Sequence, residues 1–94
     1  MTIRFYEVGE GKIRELEIIN GLSTFLGELP KKLGDYNHAW HSPECGYAIS
    51  FEGDKLGSGG LQVKKICLSA KESRVEEIRK HLEELCLVRG VHIK

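Results

Sequence analysis

Ile13-Arg14-Glu15-Leu16-Glu17-Ile18-Ile19-Asn20-Gly21 is the stretch whose reading decides the fold. Leu16 and Ile18 fall on one side of a two-residue period, and Glu15 and Glu17 on the other, which is the pattern of a half-buried strand. Asn20-Gly21 is a turn signal that ends it. Upstream, Thr2 to Val8 also alternates, with Ile3 and Phe5 on one face and Arg4 and Tyr6 on the other. Gly9-Glu10-Gly11-Lys12 between the two runs is short and glycine-rich. The two runs are therefore expected to pair as an N-terminal β-hairpin.

Downstream, Leu22, Phe25, Leu26, Leu29 and Leu33 recur at helical spacing. Asn20 or Ser23 can cap such a helix. Pro30 removes a backbone bond and clashes with the preceding turn, at roughly 3 kcal/mol or more inside a helix. A helix over about residues 22–29 is expected, with a kink or separate turn from Pro30 to Leu33 and a stop at Gly34. Asp35 to Gly46 has no period and reads as a long loop. Tyr47, Ile49 and Phe51 mark the next strand, and the glycine-rich run 53–60 is a flexible connection. Leu61 to Ser69 is a further strand whose apolar phase changes from Leu61 and Val63 to Ile66 and Leu68. A bulge near Lys64-Lys65 reconciles the two halves. Val75, Ile78, Leu82 and Leu85 give a helix over Ala70 to Leu87. Ser69-x-x-Glu72 and Ser73-x-x-Glu76 are capping-box candidates, and Gly90 a C-terminal stop. Val91-His92-Ile93 is a short last strand.

The resulting order is β-β-α-β-β-α-β. It predicts an α+β, two-layer sandwich with a ferredoxin-like βαββαβ core and an extra N-terminal hairpin strand. The alternative is a β-grasp-like sheet on the first hairpin and helix, with a C-terminal αβ extension. At 94 residues, positions 1–94 are read as a single domain.

Lysine and arginine number 14, as do aspartate and glutamate. A balanced charge argues against a nucleic-acid partner, which needs cations to displace counterions, and against docking on anionic lipid. It favours self-association into a homo-oligomer. No apolar run is long enough to span a membrane. The absence of a signal core and the three unpatterned cysteines, Cys45, Cys67 and Cys86, point to a cytoplasmic, reducing setting. Few amides with plentiful Lys and Glu is a thermophile tendency.

Chemically able side chains concentrate in Tyr36 to Gly46. Tyr36, His38, Trp40, His41 and Cys45 are the candidate ligand- or partner-binding residues, with Trp40 also placed to close the end of a small core. No complete catalytic constellation is present and no cofactor is called for. The leading expectation is a small non-catalytic binding or regulatory module. It would self-associate through a sheet face or an edge strand, with loop 36–46 as the contact for a protein or small molecule. Arg4, Tyr6, Ala48, Ser50 and Cys67 are the residues expected on the open sheet face. Two alternatives remain. His38, His41 and Cys45 form H-x2-H-x3-C, ligand types that suit zinc, with Glu44 nearby. Cys45 beside His38 or His41 is the minimal pairing of a cysteine-dependent enzyme of unknown substrate.

Overall fold

The computed structural model describes residues 1–34, 38–57 and 59–94. Five strands, β1 (Thr2–Glu7), β2 (Lys31–Lys32), β3 (Ala39–Ser42), β4 (Tyr47–Lys55) and β5 (Leu61–Ala70), make one antiparallel sheet in the order β1-β5-β4-β3-β2. Two helices, α1 (Glu15–Leu26) and α2 (Glu72–Val88), cover one face of it. No helix among the described residues is long and apolar enough to cross a membrane.

The stretch 13–19 corrects the expectation. It opens α1, so the N-terminal hairpin strand does not form, and the β-grasp alternative falls with it. Glu15, Ile18, Ile19 and Leu22 are the buried positions, spaced i, i+3, i+4, i+7, while Leu16 is 54% exposed. The adjacent Ile18-Ile19 pair is what a strand period cannot use and a helix can. Glu15 and Glu17 sit in the first turn, where the positive end of the helix dipole favours carboxylates. Glu17 also accepts the Arg14 backbone N–H at 3.1 Å, closing the helix start. The helix ends earlier than expected, at Gly27, whose φ of 75° accommodates the left-handed turn and whose N–H returns to the Ser23 carbonyl. Pro30 therefore lies beyond the helix and kinks nothing.

The C-terminal helix is close to its expected span. Neither serine capping box is used, because Lys71 occupies the cap position and Ser73 lies within the first turn. At its far end Gly90 has φ 72°. Its N–H reaches the Leu87 carbonyl and the Val91 N–H reaches that of Cys86, a complete Schellman stop. Val91 is thereby turned into the core. The expected last strand is reduced to a bridge between Ile93 and Val8, with Glu7 and Lys94 exchanging backbone hydrogen bonds. This tail lies on the edge of β1 away from β5.

The two helices meet where Gly21 faces Leu85. A Cβ on residue 21 would stand 2.2 Å from the Leu85 side chain. Arg89 closes the same contact by an ion pair with Glu17, which holds the Glu17 carboxyl below its ordinary value of 4.5. The predicted bulge is present. Glu52 pairs with Lys65 but Gly53 pairs with Val63, leaving Lys64 as the extra residue. Leu61, Val63, Ile66 and Leu68 are all buried as a result.

Candidate functional site

The region read as a loop contains β3, and that strand is held at both ends by two carboxylates, one in the first turn of α1 and one just past its C-terminal end. Glu15, only 3% exposed, accepts the Trp40 indole N–H on Oε2 at 2.7 Å and pairs with His38 Nδ1 through Oε1 at 2.8 Å. Both oxygens of a buried carboxylate are thus engaged at the favourable end of a helix, which is how such a group is retained in a core. Beyond the other end of α1, Glu28 accepts the hydroxyl of the fully buried Ser42 at 2.8 Å. The Cys45 thiol stands 3.4 Å from the same Glu28 oxygen, and the Cys45 backbone N–H reaches Ser42 Oγ at 3.3 Å. These contacts shape the turn from Ser42 to Gly46, where Gly46 adopts φ 71° and its N–H returns to the Ser42 carbonyl.

The sequence-selected residues therefore separate. His38 and Trp40 share Glu15. Trp40 packs on the core, as expected, with Lys32 Nζ 5.8 Å from its ring centroid. Cys45 joins Glu28 and Ser42 and also packs on the core. His41 is one residue out of phase with His38, Trp40 and Ser42. It pairs with Lys31 and Ala48 on the opposite sheet face. Tyr36 lies outside the described residues. Among the described residues no three His, Cys, Asp or Glu side chains are placed to hold a metal ion together. Cys45 touches an anion and a hydroxyl, where an activated thiolate needs a cationic or imidazole neighbour.

Sequence reasoning missed Glu15 and Glu28. Glu15 was assigned to the wet side of a strand. Its helical register with Ile18, Ile19 and Leu22 is the signal that finds it. Tyr47, paired with Ser42 in the sheet and 2% exposed, is a second unexpected group. Its hydroxyl has no hydrogen-bond partner among the described residues. Burial, with the nearby Cys45 and Glu28 adding to it, pushes the phenol up to about 12.

The uncovered sheet face has a different chemistry from the one expected. Arg4 and Tyr6 belong to the helix side, because Arg4 pairs with Leu68 and Tyr6 with Ile66, both buried. Ile3 and Phe5 take the open side, 55% and 77% exposed. The register sets out three rows across the strands. Phe5, Cys67, Ser50 and Ala39 form the middle row, which Leu33 continues through its N–H to the Ala39 carbonyl. Ile3, Ser69, Ala48, His41 and Lys31 flank it on one side, and Glu7, Lys65 and Glu52 on the other. Ala48, Ser50 and Cys67 are on this face, as expected. Two shallow hollows, of about 360 and 210 Å³, meet at Ser50 and Cys67.

No family model, no curated protein and no solved structure matches the chain.

Proposed function

We propose that this protein is a small non-catalytic binding or regulatory module whose working surface is the open sheet face. The observation that carries the proposal is the pair Ile3 and Phe5, large apolar side chains held in water beside a floor of Cys67, Ser50, Ala48 and Ala39. Isolated exposed apolar residues are ordinary, but a contiguous patch rimmed by charges is the mark of a contact surface. In the same reading the architecture is ferredoxin-like. The C-terminal tail, β1, β5 and β4 follow one another across the sheet, and β2 and β3 extend it past β4. Within the region 36–46, His38 and Trp40 are spent on holding β3 to α1 and Cys45 on Glu28, so among the described residues Ala39 and His41 are what it contributes to the contact.

Residues kept for a partner can be replaced without loss of the fold. The double variant Ile3→Thr/Phe5→Thr preserves strand propensity while removing the apolar surface. Its unfolding free energy, measured in urea at sub-micromolar concentration, is expected to lie within about 1 kcal/mol of wild type. A loss above about 2 kcal/mol would assign both residues to the fold and end the proposal.

A further inference from the structure

We infer that the chain pairs with a second copy of itself along the outer edge of β1, the two sheets joining as antiparallel neighbours about a two-fold axis that passes between the two Ile3 residues. This concerns the edge of the sheet and stands apart from what the open face contacts. The backbone groups of β1 alternate in direction. The Val8 N–H points to Lys64 next to β5, while Glu7 exchanges both its bonds with Lys94 of the tail. By the same alternation Ile3 and Phe5 present their N–H and C=O groups outward. The tail pairs with the edge from Glu7 to Gly9, so no strand lies beside Ile3 and Phe5 among the described residues. An uncovered apolar edge is a template for another strand. The far edge of the sheet is a poor one, because β2 is two residues long and both are lysines.

A two-fold contact requires one surface to complement itself, and this edge does so in one register. Centred on Ile3, the pairing sets Ile3 against Ile3 and Phe5 against Met1 of the second copy. All of these are large apolar side chains, exposed in the single chain and placed on the same side of the joined sheet. Centring on Arg4 would set two guanidinium groups against each other and drive Met1 of the second copy into the place Lys94 holds beside Glu7. Centring on Phe5 would drive Ile3 of the second copy there. The axis stands perpendicular to the sheet, so the helices of both copies lie on one side of it. On that side Arg4 of each copy comes opposite Thr2 of the other. The Thr2 hydroxyl lies 3.1 Å from a Glu72 oxygen, so each guanidinium arrives beside the other copy's Glu72 carboxylate. Within one chain that guanidinium reaches the Ile3 carbonyl, at 3.3 Å.

Sedimentation equilibrium and thiol cross-linking test this together. Wild type is expected to show a concentration-dependent monomer–dimer equilibrium. Ile3→Pro removes an N–H that faces the outer edge and leaves the β5 ladder intact, the one setting in which a strand accepts proline. It should weaken the dimer at least about a hundredfold, since both hydrogen bonds at the axis are lost. Arg4→Glu, which sets acid beside Glu72, should weaken it at least about tenfold and serves if Ile3→Pro does not fold. The charge swap Arg4→Glu/Glu72→Arg should restore it. A short bismaleimide should link dimers of Ile3→Cys but not of wild type, because the pairing leaves the two Cys67 thiols roughly 20 Å apart, three strand spacings across and four residues along. Persistence of the dimer in both Ile3→Pro and Arg4→Glu, or cross-linking of wild type, would place the contact elsewhere and overturn the inference. A wild type that stays monomeric at every concentration would also overturn it. None of these results moves the sub-micromolar stability of Ile3→Thr/Phe5→Thr, which tests the open face by itself.

Discussion

Leu68 and Cys67 are neighbours on β5 and live in different solvents. Leu68 points into the layer between sheet and helices and is fully buried, together with Ile49, Ile66 and Ile78. Cys67 points to a face that nothing among the described residues covers, between Phe5 and Ser50. The covered face is filled by large branched side chains. The open face is built from small ones with large ones at its margin. The difference teaches that the two sides answer to different demands, stability on one and, under the proposed function, contact with a partner on the other.

The comparison can be broken most forcefully on the covered side. Leu68→Ala should cost about 3–4 kcal/mol in urea unfolding, the price of lost burial and a cavity, whereas Cys67→Ala next door should cost under about 1 kcal/mol. Equal losses would erase the distinction. A smaller effect comes from the polar rim of the core. Glu15→Ala leaves the Trp40 N–H and His38 without their acceptor and should cost about 2–3 kcal/mol. Emission from Trp40, the only tryptophan, should shift to longer wavelength as water reaches it.

The smallest effect has the opposite sign. Tyr47→Phe deletes a buried hydroxyl that has no partner among the described residues, and should stabilise by about 1 kcal/mol. Its pH dependence follows from the raised phenol. The unfolded chain releases this proton near 10, the folded one near 12. Above 10 the unfolded state therefore holds fewer protons, and folding stability declines at up to about 1.4 kcal/mol per pH unit until 12. Tyr47→Phe should remove that part of the alkaline loss. Tyr6, raised mainly by its own burial, should retain its share.

Much of the fold was legible. The β4–β5 hairpin, the bulge at Lys64 and the long C-terminal helix all followed from periodicity. Other elements did not, and β2 and β3 lie in stretches read as a turn and a loop. Glu15 to Ile18 satisfies both a two-residue and a 3.6-residue period over so short a span, and only burial of Ile18 with Ile19 decides between them. In β1 both phases are apolar enough to face inward. The choice of Tyr6 over Phe5 is made by pairing with Ile66, a tertiary contact that local pattern does not contain. The candidate site was legible as a region and illegible as geometry. His38 and Trp40 find their shared partner 23 and 25 residues away in Glu15, and Cys45 finds Glu28 at 17. Strand phase sends His41 to the opposite side.

The bulge at Lys64 has one consequence beyond turning Val63 and Leu61 inward. It makes β4 and β5 work as a vernier. The near half of the hairpin, Tyr47 to Glu52, and the far half, Gly53 to Lys55, match β5 in registers that differ by one residue. A slipped pairing that satisfies one half misaligns the other and turns its apolar side chains to water. Gly53 completes the device, because any Cβ there would stand 1.9 Å from the Gln62 carbonyl oxygen. A hairpin of nine and ten residues is thereby left with one alignment in which both halves agree.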